Sequence, residues 1–147
     1  MSGEGGESAD DCNLPDAILD GPTPYSTIGN TTDGSAHLAC EYDGQTYHDG
    51  WFVYGATCTG ELTASTCNNA DYDTDIVVYD GCDSMEPPGD DLVLGCNDDD
   101  EDNPCGGFPM FHSTVIVPVV AENCYTVRIG GWKAADSGTG TVLITCE

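Results

Sequence analysis

The sequence predicts an all-β protein, an antiparallel β-sandwich or jelly-roll-like fold that is disulfide-rich, and three observations carry that expectation. Apolar residues fall in short runs rich in Val, Ile, Thr and Tyr, cut by Gly, Asp, Asn and Pro, which is the pattern of strands and turns. No stretch keeps apolar positions at i, i+3, i+4 and i+7 over three turns, so no amphipathic helix is expected. Nineteen glycines and eight prolines are too many for a helical bundle, and 39% apolar residues are too many for a disordered chain.

Taken in order, residues 1–11 (MSGEGGESADD) lack periodic apolar positions and read as a flexible acidic leader. They also lack the basic and apolar segments of a secretory signal. Residues 12–147 read as a single β-sandwich domain, long enough to bury a core without a metal or partner. Its expected strands are AILDG (17–21), STIGNTT (26–32), WFVYGAT (51–57), ELTAST (61–66), DIVVYD (75–80), DLVLGC (91–96), STVIVPVV (113–120), CYTVRIGG (124–131) and GTVLITC (140–146). In CYTVRIGG, alternation sets Tyr125, Val127 and Ile129 on one face and Thr126 and Arg128 on the other. Pro118 removes a backbone donor, so its strand is expected to bend or to lie at an edge.

Charge narrows the function. Arg128 and Lys133 are the only cationic side chains besides histidine, against 27 Asp and Glu, a formal net charge of −25. Nothing here can neutralise phosphates and release counterions, so nucleic acid is excluded as a natural partner and anionic membranes are disfavoured. No apolar run approaches the ~20 residues of a membrane-spanning helix, so no direct membrane insertion is expected.

The nine cysteines stand at 12, 40, 58, 67, 82, 96, 105, 124 and 146, and no two show C-x-x-C spacing. That argues against structural zinc or a redox motif and for disulfides, hence for an extracellular or cell-surface location. An odd number leaves one cysteine unpaired or joined to another chain. Proximity suggests Cys12 with Cys40, Cys67 with Cys82 and Cys96 with Cys105, leaving Cys58, Cys124 and Cys146 for a further pair and the odd thiol, and sequence alone does not settle the pairing.

The ordered series DDCNLPDAI, GNTTDG, CEYDG, WFVYGATCTGELTASTC, DYDTDIVVYDGC, GCNDDDEDNPC, STVIVPVVAENCYTVRIGGW and GTGTVLITC resembles a cysteine-rich β-sandwich module of large secreted and surface proteins of bacteria. It is similar to the bacterial pre-peptidase C-terminal domain, a non-catalytic appendage of secreted proteases and other exported proteins. The resemblance covers 12–146, and its most specific parts are D-T-x-I-x-V-Y-D-G-C (73–82) and C-N-D-D (96–99). It implies a jelly-roll-like sandwich, frequent disulfides and, in some relatives, a calcium ion carried over onto positions near Asp73 and Asn97 to Asp99. The acidic run here extends to Asp102 and no protease domain precedes the module, so the protease connection is not carried over.

The residues themselves support a cation site as one reading. Asp71, Asp73 and Asp75 alternate before a strand and project to one side, and a hairpin with DLVLGC would bring them near Asn97 to Asp100. Calcium takes six to eight oxygens in irregular geometry, so Asp73, Asp75, Asn97, Asp98, Asp99 and Asp100 are the candidate ligands. A Cys96–Cys105 bridge would lower the entropy lost on ordering that loop. The competing readings are a solvated loop and the general acidic surface of a halophile's protein.

Other motifs carry less. Asp136-Ser137-Gly138-Thr139 matches an aspartic-protease signature but has no second copy to share a proton, and reads as a turn. His37, His48 and His112 sit in no catalytic motif. Asn30-Thr31-Thr32 is a glycosylation sequon, expected on an exposed loop. Trp51 and Trp132 could line a sugar platform, although aromatics in sandwich strands are more often core. The expected function is a non-enzymatic extracellular binding or adhesion module, disulfide-bonded and calcium-stabilised, whose partners are other copies of itself, surface proteins or glycans. The alternative is a structural subunit that polymerises into a filament, surface layer or matrix, with the C-terminal GTVLITC run as its donor strand and the odd cysteine locking the contact.

Overall fold

Strand alternation decides which runs pair and which faces meet. A computed structural model describes residues 10–12, 14–40, 43–82, 87–98 and 111–147. Among them lie β1 (Asp16–Ile18), β2 (Gly21–Ser26), β3 (Tyr47–Gly55), β4 (Gly60–Ser65), β5 (Thr74–Asp80), β6 (Val93–Asn97), β7 (Thr114–Val119), β8 (Cys124–Gly131) and β9 (Thr139–Cys146). One sheet has the order β1-β3-β8-β5-β6 and the other β2-β9-β4-β7. Every pairing is antiparallel except β1 with β3, which is parallel. Most of the leader, together with Asp99, Asp100 and Cys105, falls outside the described residues.

The two sheets close on one core. Phe52, Ile76, Val78, Val127 and Ile129 of the five-stranded sheet face Leu62, Ala64, Val117, Val142 and Ile144 of the four-stranded one. All ten are at most 2% exposed, and burying each large aliphatic or aromatic side chain contributes roughly 1.5–3 kcal/mol. Tyr125, Val127 and Ile129 point inward as alternation requires. Thr126 and Arg128 point the other way yet are also buried, because a second apolar cluster, Cys12, Trp51, Val77 and Tyr79, lies on the outer face of this sheet. Cys12 and Cys40, from the chain before β3, join this cluster, and the Cys40–Cys96 disulfide ties that chain to β6.

Several expectations are corrected. STIGNTT is not a strand; β2 lies just before it, in GPTPYS, where two prolines obscure the strand pattern and are tolerated because β2 is an edge. DLVLGC begins as a 3-10 turn at Asp90–Leu92 and becomes extended only from Val93. Pro118 does lie on an edge strand, β7. GTVLITC is not a spare donor strand, since β9 is hydrogen-bonded on both sides, to β2 and β4. The cysteines pair as Cys40–Cys96, Cys58–Cys146 and Cys82–Cys124, and Cys67 is also disulfide-bonded. All three proximity pairings are therefore overturned. Sheet formation brings together residues 42 to 88 positions apart, which chain distance does not reveal. Cys12 is a buried thiol, pushed up to about 12 by burial and by the neighbouring Asp33 carboxylate.

Candidate functional site

The β5–β6 hairpin does what the sequence pattern requires of it. Ile76 is opposite Asn97 and Val77 opposite Cys96, so the start of β5 meets the end of β6. Asp73, Asp75 and Asp98 are all buried there, at 6%, 6% and 9% exposure. A cluster of buried hydroxyls anchors this end. Thr74 Oγ1 lies 2.8 Å from Thr66 Oγ1 and 2.9 Å from Ser113 Oγ, which is itself within reach of the Thr74 and Asp98 carbonyls at 2.9 and 2.8 Å.

Asp75 is the electrostatic centre. Its Oδ2 accepts a hydrogen bond from Thr46 Oγ1 at 3.0 Å. Burial raises its carboxyl well above the ordinary range and the charges of Asp98 and Asp43 add to the rise, while Thr46 and Arg128 oppose it. A carboxyl so placed favours either a proton or a cation. Asn97 and Asp71 are engaged elsewhere: Asn97 Oδ1 accepts from the Thr114 amide at 3.1 Å, and the Asp71 carboxylate accepts from the Thr139 amide at 2.8 Å. Among the described residues no group of three His, Cys, Asp or Glu side chains is gathered to hold a metal. The chemistry of Asp75 and Asp98 fits a hard cation, but the described carboxylates are fewer than the six to eight oxygens calcium takes. Asp99 and Asp100 lie outside the described residues.

Beside this end stands a polar network that motif reading does not find. Arg128, fully buried, donates from Nε to Asp49 Oδ2 at 2.9 Å, from Nη1 to Ser35 O and Tyr79 Oη at 3.0 Å each, and from Nη2 to Gln45 Oε1 at 2.6 Å and Thr46 O at 3.0 Å. All five guanidinium donors are used. Asp49 also accepts from the amides of Asp33 and Gly34, at 3.0 and 2.9 Å. Burial pushes the Asp49 carboxyl up, and Arg128 and those two amides pull it back.

The network continues to the surface. Tyr79 Oη accepts from Arg128 and lies 2.7 Å from His37 Nε2, to which the tyrosine proton can be donated, and His37 Nδ1 donates to Asp90 Oδ1 at 2.6 Å. Burial pushes the Tyr79 hydroxyl up to about 12, which keeps that proton in place. The one sequence signal for this network was the outward alternation of Arg128 in an otherwise apolar strand.

The remaining sequence candidates resolve structurally. Trp51 is fully buried, stacked on Tyr79 at 6.0 Å with Arg128 over its ring at 5.3 Å, so it forms no sugar platform. Trp132 is half-buried beneath Lys133 Nζ at 4.5 Å. Asp136 caps its own turn, accepting from the Lys133 amide at 3.1 Å. His112 accepts from the Asn68 amide and donates to Ala70 O, both at 2.9 Å, and burial lowers its pKa. Asn30 is 3% exposed, contrary to the exposed sequon expected, and its Nδ2 donates to Asp49 O at 3.0 Å.

No known family's model matches the chain, and no curated protein matches it. Solved structures do. The pre-peptidase C-terminal domain of collagenase from Bacillus anthracis superposes with a TM-score of 0.52 at 11% identity, covering 89% of this chain and 94% of that one. CorA, a surface-associated copper-binding protein of Methylomicrobium album BG8, gives 0.51 at 10% identity over 90% and 98%. PliG, a periplasmic inhibitor of g-type lysozyme from Aeromonas hydrophila, gives 0.44 at 12% identity over 88% and 96%. The similarity to the pre-peptidase C-terminal domain expected from the ordered motifs therefore holds, and what the chain shares with it is the fold.

Proposed function

We propose that the chain is a non-enzymatic extracellular binding module whose acidic hairpin end is braced by a divalent cation, calcium being the ion suited to its oxygen donors. The observation that carries the reading is the burial of Asp75 and Asp98 together where β5 begins and β6 ends. Without a cation, burial favours the neutral form of Asp75; a divalent ion would displace that proton and tie the two strands together. The disulfides support an oxidising compartment. The fold relative described as a surface-associated copper-binding protein supports a binding role at the cell surface. Partners of matching character are surface proteins, glycans or further copies of the chain, for which an uncatalytic adhesive role is the simplest.

Thermal unfolding with calcium and with EDTA tests the cation. A ligand at 100 times its Kd stabilises by about 2.7 kcal/mol, which for a chain this size raises Tm by on the order of 10 °C. Asp75→Asn and Asp98→Asn should each abolish the increment. A melting temperature indifferent to both additives in the unmutated protein would remove the cation from the proposal.

A further inference from the structure

His48 makes a pair of contacts that only a doubly protonated ring can complete. Its Nδ1 lies 2.7 Å from the carbonyl oxygen of Asn30 and its Nε2 lies 2.6 Å from the carbonyl oxygen of Ala134. A carbonyl oxygen accepts and never donates, so both contacts are hydrogen bonds only when both ring nitrogens carry hydrogen. A neutral ring would leave one nitrogen lone pair facing an oxygen at hydrogen-bond distance. The two carbonyls belong to different parts of the fold: Asn30 to the stretch between β2 and β3, Ala134 to the turn between β8 and β9.

The backbone is shaped to present this ring. The β3–β8 register breaks between Tyr47 and Gly50, a bulge that holds His48 beside Asp49, the partner of Arg128. His48 adopts φ of 55°, a left-handed conformation uncommon for a residue with a side chain and held only where its surroundings over-determine it. Its amide donates to Thr32 Oγ1 at 2.9 Å. The Asn30-Thr31-Thr32 sequence is thus gripped from both bulge residues, and from Asp10, which accepts from Thr31.

We propose that His48 is a proton-operated latch, closed as the imidazolium across Asn30 and Ala134 and opened on the Ala134 side when the ring loses a proton. Asn30 stays in place because it is held independently through Nδ2 and through its amide, which donates to Thr27 O at 3.1 Å. Ala134 sits in an exposed turn carrying Trp132 and Lys133, so that turn is the part released. Among the described residues the ionisable groups on the surrounding elements are Asp43, Tyr47 and Asp49 along the approach to β3 and its bulge, Asp10, Asp11 and Asp33 in the chain before it, Asp73 before β5, Arg128 on β8, and Lys133 and Asp136 in the turn. Asp43 accepts from Tyr47, Asp49 from Arg128 and Asp33 from the Cys12 amide, while Lys133 lies over Trp132. The sign follows: the latch stabilises the turn in acid and its contribution is lost as pH rises and the ring deprotonates. This goes beyond the cation reading and does not depend on it.

Nitrogen-15 NMR of the histidine rings, with amide exchange corrected for intrinsic rates, tests the latch. We expect both His48 nitrogens protonated at mildly acidic pH, and protection of the Trp132 and Asp136 amides to fall roughly tenfold as that ring titrates. His48→Asn, which tolerates the left-handed backbone, should abolish the pH step, whereas His112→Gln should keep it. A His48 ring already neutral at pH 5 in the folded protein, or turn protection unchanged through its titration, would overturn the proposal.

Discussion

Arg128 shows how one residue can organise a covering layer. In a chain with a net charge of −25, one of its two Lys or Arg side chains is taken wholly inside and given five acceptors drawn from Ser35, Gln45, Thr46, Asp49 and Tyr79. Four of those five lie outside its own sheet's core strands or at the bulge, so the guanidinium ties the segment around Ser35 to Thr46 onto the sheet. Gly34 makes room for it: a Cβ there would lie 2.4 Å from the guanidinium carbon. Removing one partner of a buried pair strands the other charge and costs about 3–5 kcal/mol. Urea denaturation should therefore show losses of that order for both Arg128→Met and Asp49→Asn, with the double variant falling well short of their sum. Arg128→Lys should rescue little, because three donors on a flexible stem cannot meet five fixed acceptors. Additive losses would mean that the two residues act independently.

At the scale of elements, the strands were legible because β-branched and aromatic runs between turn residues have few other ways to bury their apolar side. β4, β5, β7, β8 and β9 start within a residue of the runs that announce them. β2 was missed because Pro22 and Pro24 read as breakers, which they are only inside a sheet. Bridge connectivity was not legible, since it depends on which strand ends converge. The Cys58–Cys146 bridge spans 88 positions and joins the approach to β4 with the end of β9, central strands of one sheet. Constraining so long a loop in the unfolded chain predicts a loss of about 2–5 kcal/mol when both cysteines become alanine. A chemical denaturation midpoint unchanged in that double variant would show that the β4–β9 pairing is self-sufficient.

Across the whole molecule, self-repulsion is the term left unopposed. Arg128 is buried and Lys133 is the other Lys or Arg side chain, so the surface carries almost unrelieved negative charge. Raising monovalent salt shortens the screening length from about 10 Å at 0.1 M to about 3 Å at 1 M. The melting temperature should rise over that range and level off, and the rise should persist in Asp75→Asn, which separates diffuse screening from a specific ion. A melting temperature that falls with salt would mean that attractive surface pairs outweigh repulsion.

The fold class, most of the strand positions, the oxidising compartment as an expectation and the hairpin that unites Asp75 with Asp98 all follow from local pattern, because alternation and turn chemistry act over a few residues. The disulfide pairing, the covered outer face, the burial of Asn30 and Trp51, and the contacts of Arg128 and His48 were decided only in three dimensions. Each depends on a partner far along the chain, brought into contact when two sheets and their cover close around shared cores, and no short stretch of residues encodes where that partner will be.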